Sequence, residues 1–432
     1  MKKEIIKEII RDFQIRELPT VNKRIVTLPL DAGKIITITG VRRCGKTYLM
    51  YDAVKRLLEK GMNKENIVYI NFEDERLEFK TEELDIILQA YREMYPDTLI
   101  KDVYFFFDEV QNVVGWEKFI RRIAESLSNN IFITGSNARL LSSEIATALR
   151  GRSINYEIFP LTFREYLDFL KADTDLYNPT AKAKIIRHFK NFLLNGGFPE
   201  ILHLKKEIGD KILQEYFNVM IYRDIVERFN LTNLPALKYF MKRVFESVTN
   251  PLSVNKIYNE LKSRGYKIGK NMLYEFLEAA EAVYLALPLK KYSSSILKEE
   301  LSEKKIYCID NGLLNSISYN FKNGFGKLLE NLVFLELKKT GKNIRFIKNG
   351  RECDFIIIEK DEKKQLIQIS YTLSDRDTKK REVTSLTLIC KSLGINMGTI
   401  LTYDEEMEII ENDVKIQVLP VYRFLFQLQV SF

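Results

Sequence analysis

Histidine is nearly absent from this chain: there are two in 432 residues, His188 and His203, and neither has a cysteine close by. The four cysteines (Cys44, Cys308, Cys353 and Cys390) are scattered without paired spacing. That pattern argues against a zinc centre or a disulfide framework, both of which need partners at close, repeated spacing. Also missing is any apolar run near the roughly 20 residues that span a bilayer. The opening "MKKEIIKEIIRDF" mixes charged and apolar residues at helical spacing, unlike a secretory signal. Together these absences predict a cytoplasmic protein with no membrane contact. Lys and Arg exceed Asp and Glu by 67 to 59, leaving a net charge of +8. Acidic residues are interspersed throughout, so this excess permits contact with nucleic acid without requiring it. The length is too great for one ordinary core, and two to three domains are expected.

What the chain does have is concentrated first in "TITGVRRCGKTYLM", residues 37–50. An apolar run, "IITIT", leads into Gly40-x-x-x-x-Gly45-Lys46-Thr47, and "YLMYDAVKRLLEKG" follows with apolar residues at helical spacing. Gly40 and Gly45 let backbone N–H groups curl around phosphate oxygens. Lys46 offers a positive charge to the β- and γ-phosphates, and Thr47 a hydroxyl to Mg²⁺. The helix that begins there points the positive end of its dipole at the same phosphates. Val41, Arg42, Arg43, Cys44 and Tyr48 complete the expected nucleotide-binding segment.

A matching partner lies in "DVYFFFDEVQNVVGWEKFI". An unbroken apolar strand, Val103 to Phe107, delivers Asp108 and Glu109 at its C-terminal end, as a buried parallel strand would. Asp108 is expected to hold the Mg²⁺ shell, and Glu109 to polarise the attacking water in phosphoryl transfer. Another short apolar strand, in "NNIFITGSNARLL", ends in Thr134, Ser136 and Asn137. One of these is a candidate to contact the γ-phosphate or the water, although Ser136 or Asn137 would serve equally as a helix N-cap. Arg150 and Arg152, in "ALRGRSINYEIF", are candidates for an arginine finger, acting in cis or in trans.

The ordered set "GVRRCGKT", "DEVQNVVGW", "ITGSNARLLS", "LRGR", "PLTFREYL" and "GGFPE" resembles one group. This is the prokaryotic, archaeal-type AAA ATPases that carry a C-terminal domain of unknown function. "KIYCIDNGLLNSI", "GKLLENLVFLEL" and "RECDFIII" extend the resemblance over most of the chain. It implies ATP as the nucleotide, with Mg²⁺, and leaves the oligomeric state open between a monomer and a ring.

Residues 161–235 are helical by pattern, and the resemblance implies the lid of an ATPase. Tyr216, Phe217, Met220 and Ile221 form an apolar stripe that reads as core. Residues 236–292 read as a winged helix-turn-helix, with helices from Ser253 to Gly265 and from Lys270 to Ala282, and a wing in "YLALPLKKY". Lys267, Lys270, Asn271 and Tyr274 start the second helix, where they could reach double-stranded DNA. Glu275, Glu278 and Glu281 follow on the same side and would repel phosphates, which leaves a protein contact equally open.

The stretch "KKYSSSILKEELSEKK" reads as a surface loop or linker. Beyond it, the order of helix and strands resembles restriction-endonuclease-like folds, in which a helix Glu, a strand Asp and a later Glu-x-Lys gather Mg²⁺. Glu330 and Asp354 match the first two positions, whereas the third reads Gln368-Ile369-Ser370. Gln368 lacks the charge that hard cations favour, and a lysine would have to come from elsewhere, such as Lys379 or Lys380. Nuclease activity is therefore not expected.

The expected fold is α/β throughout. It comprises a P-loop AAA-type parallel-sheet core (1–160), a helical lid, a winged helix-turn-helix and a degenerate nuclease-like α/β domain (293–432). The expected function is Mg²⁺-dependent ATP hydrolysis driving a conformational cycle on a DNA or protein partner. A slow nucleotide switch and an ATP-regulated endonuclease are the alternatives.

Overall fold

The computed structural model describes residues 2–77, 79–136, 149, 151–293, 295–317, 324–348, 350–359 and 361–428. Contacts divide the chain into two compact units, Met1–Phe159 and Pro160–Phe432. Among the described residues, no helix is long and apolar enough to cross a membrane.

In the first unit the apolar runs become strands: β1 (Ile35–Gly40), β2 (Ile67–Asn71), β3 (Tyr104–Asp108), β4 (Ile131–Gly135) and β5 (Ser153–Ile158). They form one sheet in the order β2-β3-β4-β1-β5, with every pairing parallel. Phe105, Phe106 and Phe107 are all fully buried, as expected of a strand covered on both faces. Among the described residues, four helices pack around the sheet: α1 (Lys2–Ile15), α2 (Lys46–Glu59), α3 (Asp85–Met94) and α4 (Trp116–Ser126). In α1, Ile6, Ile9, Ile10 and Phe13 repeat at helical spacing on the buried side. Phe13 stacks on Tyr69 of β2, with ring centroids 4.7 Å apart.

Parallel pairing puts all five strand C-termini along one edge, so the segments after β1, β3 and β4 meet there. The register sets Asn71 beside Asp108, and Thr39 beside Gly135. That edge carries the site.

The second unit opens with helices α5 (Phe163–Phe169), α6 (Pro179–Asn195), α7 (Lys206–Val219) and α8 (Leu234–Glu246), with a π-helical turn over Met220–Glu227. Thr162 and Glu165 cap α5 reciprocally through each other's backbone N–H. Next come α9 (Val254–Ser263) and α10 (Lys270–Ala282), the two helices read as a helix-turn-helix. The segment expected to fold back on itself as a wing holds a single strand, β6 (Leu287–Leu289). Its partner is β7 (Lys305–Tyr307), and α11 (Ile296–Leu301) lies in the intervening stretch that the sequence suggested was a loop.

Helices α12 (Asn311–Ile317) and α13 (Phe325–Lys339) lead to a mixed sheet of β8 (Asn343–Lys348), β9 (Glu352–Ile358), β10 (Lys364–Ile369), β11 (Met397–Thr402), β12 (Met407–Glu411) and β13 (Val414–Pro420). Its order is β12-β13-β11-β10-β9-β8. Helix α14 (Arg376–Ser392) links β10 to β11, and α15 (Val421–Gln427) ends the described fold. Before α15, β12 and β13 pair antiparallel and are joined by Asn412 and Asp413 at positive φ, residues suited to a tight hairpin.

Candidate functional site

Strand β1 ends at Gly40, whose φ is 153° and where a Cβ would stand 2.0 Å from the Ile158 carbonyl oxygen. Only glycine allows this approach. Gly45 precedes α2 at φ 101° with no side-chain cap, so the first-turn N–H groups stay available to an anion. Arg24 braces the loop from outside: Nη1 donates to the Cys44 carbonyl at 2.9 Å and Nη2 to the Phe159 carbonyl at 3.0 Å. Arg42 pairs with Glu73 at 2.8 Å. Arg43 has a φ of 66°, Cys44 and Val41 are buried, and Tyr48 is half exposed on the first turn of α2.

Thr47 Oγ1 donates to Asp108 Oδ2 at 2.8 Å, joining the loop to the end of β3. The Tyr69 hydroxyl donates to the same oxygen at 2.7 Å, and Thr134 of β4 donates to Asp108 Oδ1. Thr134 also accepts the Glu109 backbone N–H at 2.8 Å, which helps hold Glu109 in a left-handed conformation, φ 53°. Lys46 Nζ lies 3.2 Å from Glu109 Oε1 and donates to the Gly40 carbonyl at 3.2 Å. Gln111 donates its amide to Glu109 Oε2 and reaches Ser136 Oγ at 3.4 Å.

These charges set one another. Burial works against the Glu109 carboxylate, but Lys46 and then Arg42 outweigh it and pull its pKa down to about 2. Burial likewise works against the Lys46 ammonium, and the Glu109 charge reverses the effect, holding it above the ordinary lysine value. Asp108 is raised by burial and by Glu109, and is opposed by hydroxyls from Thr134, Tyr69 and Thr47. A carboxylate and a hydroxyl 2.8 Å apart form a donor set that suits a hard divalent cation. The residues present therefore fit Mg²⁺.

Of the residues read from the sequence, Gly40 to Tyr48, Asp108, Glu109, Thr134 and Ser136 converge on this edge. Asn137 and Arg150 lie outside the described residues. Arg152 is not brought there. It stands just before β5, at the end of the sheet where Ile35 begins β1, and its guanidinium pairs with Glu125. Six residues of strand separate that end from the loop, about 20 Å. Tyr69 and Gln111 went unnoticed in the sequence. For Tyr69 the available signal was a phenol inside the apolar run Ile67–Ile70, since a buried hydroxyl needs a partner.

In the second unit Lys267, Lys270, Asn271 and Tyr274 are all exposed at the start of α10, with the Lys270 ammonium 5.8 Å from the Tyr274 ring centroid. Glu275 and Glu278 are exposed on the same helix. Glu330 on α13 and Asp354 on β9 meet at one point, but the cation there is Lys305, 3.2 Å and 2.9 Å from them. Lys379 instead reaches the Met407 sulfur at 3.5 Å. Lys380 lines a cleft of about 590 Å³ beside Asp354 and Gln368. Gln368 donates to Glu382 at 2.9 Å and accepts the Asp354 N–H at 3.2 Å, so both ends of its amide are committed. Burial, then Asp354, pushes the Glu330 carboxyl up to about 8.

Comparison with known proteins agrees with the first unit's geometry. Residues 32–167 match the AAA domain family, and residues 186–323 match a domain of unknown function. An uncharacterized protein of Methanocaldococcus jannaschii is 37% identical, covering 98% of this chain and 95% of its own. One from Haemophilus influenzae is 30% identical, covering 77% of this chain and 81% of its own. Among solved structures, a Walker-type ATPase of Pyrococcus abyssi aligns over 73% of this chain and 95% of that one, at 15% identity and a TM-score of 0.44. The chain belongs to the family that the Methanocaldococcus jannaschii and Haemophilus influenzae relatives represent, with an AAA domain over residues 32–167.

Proposed function

We propose that the chain binds ATP with Mg²⁺ and hydrolyses it, and that the resulting cycle acts on a DNA or protein partner. The observation that carries this reading is the Thr47 Oγ1 to Asp108 Oδ2 contact of 2.8 Å, with Lys46 and Glu109 beside it. Thr47 and Asp108 would hold Mg²⁺, which neutralises phosphate charge when bound. The uncapped N–H groups after Gly45 would take the phosphates. Lys46 would then turn from Glu109 to the β- and γ-phosphates, leaving Glu109 to orient water. Asn137, Arg150 and Arg152 stay in the proposal as sensor and arginine-finger candidates, with Arg152 suited only to a neighbouring molecule's site.

Phosphate release by the full chain tests this. The proposal expects turnover with Mg²⁺, none with a chelator, and none in Lys46→Ala. Turnover indifferent to both changes would place the chemistry elsewhere.

A slow nucleotide switch is the second reading, favoured by Glu109 being held on both oxygens, by Lys46 and by Gln111. For the remainder we propose a helical lid, a helix-turn-helix over α9 and α10, and a nuclease-like C-terminal part without nuclease activity. The exposed Lys267, Lys270, Asn271 and Tyr274 support double-stranded DNA as partner. If DNA is the partner, it raises hydrolysis several-fold, and Lys267→Glu/Lys270→Glu removes the stimulation. An unchanged rate directs attention to a protein partner.

A further inference from the structure

Strand β7 begins the stretch "KIYCIDNGLL", which the nucleotide site does not use. Strand side chains alternate, so Lys305 and Tyr307 leave β7 on one side. Both reach Glu330, the Tyr307 hydroxyl at 2.8 Å. The Lys305 side chain is 1% exposed, yet its Nζ lies 2.8 Å from Glu352, 2.9 Å from Asp354 and 3.2 Å from Glu330. An ammonium carries three N–H donors, and here each has a different carboxylate within reach. The second oxygen of Asp354 accepts the Ile369 N–H at 3.0 Å. These are N–H···O separations, well beyond the roughly 2.1 Å of a Mg²⁺–oxygen bond. Among the described residues, no group of three or more His, Cys, Asp or Glu is arranged to hold a metal ion.

We propose that Lys305 is a built-in cation, standing where a divalent metal would otherwise bridge Glu330, Glu352 and Asp354. The mixed sheet of the second unit then works as a metal-free scaffold that does not cleave phosphodiesters. A dissolved metal would have to displace an ammonium tethered by its own strand, break three charge-assisted contacts and leave that ammonium buried without partners. Gln368 closes the remaining route, because its amide is already committed to Glu382 and to the Asp354 backbone. This sharpens the reading of the C-terminal part as nuclease-like but inactive. The cation and the inactivity can be tested separately.

Mn²⁺ binding to the full chain without nucleotide, followed by the loss of free Mn²⁺ signal in electron paramagnetic resonance, reads the cation. Wild type should show no Mn²⁺ site that Asp354→Asn removes. Lys305→Ala should gain one, at least about tenfold tighter than any wild-type binding there, and Lys305→Ala/Glu330→Gln should lose it again. A wild-type site abolished by Asp354→Asn would overturn the proposal, as would equal Mn²⁺ affinity in wild type and Lys305→Ala. If Lys305→Ala does not fold, the wild-type and Asp354→Asn titrations decide on their own. Plasmid nicking with Mn²⁺, dependent on Glu330 and Asp354, would refute the inactivity whatever occupies the cluster.

Discussion

Lys46 Nζ and Glu109 Oε1 lie 3.2 Å apart in a buried pair, so the charge proposed to meet phosphate and the carboxylate proposed to orient water hold each other. Removing one partner of such a pair strands the other, which typically costs about 3–5 kcal/mol. Lys46→Ala should therefore lower the unfolding free energy by about 3 kcal/mol at neutral pH. Lys46→Ala/Glu109→Gln should recover most of that loss. Urea denaturation of the two single variants and the double variant closes the cycle.

Tyr69 donates one of three hydroxyl hydrogen bonds to Asp108. Tyr69→Phe keeps the ring stacked on Phe13 and removes that donor. A hydrogen bond to a charged group contributes about 1.5–3 kcal/mol, so a loss near 1.5 kcal/mol is expected in denaturant titration. No loss would mean that Asp108 does not depend on the phenol.

Gly196, at φ 78°, faces Asp310, whose Oδ1 would stand 2.0 Å from an added Cβ. Gly196→Ala has to expel that carboxylate as well as strain the backbone. Overpacking of this kind costs about 1–3 kcal/mol, and a positive φ combined with ψ −166°, a region essentially reserved for glycine, adds to it. A fall in Tm of several degrees is expected, with Gly394→Ala, which has open space, falling less.

Asp310 also sets a pH dependence. Burial pushes its carboxyl up to about 6, against N–H groups of Gly197 and Leu313 that favour the charged form. Between the ordinary 3.8 and about 6, the native protein therefore holds more protons than the unfolded chain. Stability contributed by this group falls as pH rises through that window and is level above it. Asp310→Asn should flatten that slope, seen as a wild-type-minus-variant difference that changes between about pH 4 and about pH 6 and is constant above.

The candidate nucleotide edge was legible because its signals are local. Gly40, Gly45, Lys46 and Thr47 fall within eight consecutive residues, and Asp108 and Glu109 end one apolar run. Tyr69 was not legible, because it reaches Asp108 through the pairing of β2 with β3, 39 residues apart. Lys305 was hidden for the same reason. The lysine absent after Gln368 was sought downstream, at Lys379 and Lys380, whereas the cation beside Asp354 comes from a strand 49 residues upstream. The wing was misplaced because β6 pairs across α11 rather than with its own neighbours. Pattern reports which residues form a strand, and only tertiary packing decides its partner.

The most direct test of the central claim compares Mg²⁺·ATP binding and phosphate release in wild type and Glu109→Gln. Glu109→Gln should bind ATP as wild type does, or more tightly once Lys46 is released, while hydrolysis falls by about 100-fold or more. Equal hydrolysis in the two proteins, or ATP binding absent from both, would contradict the account.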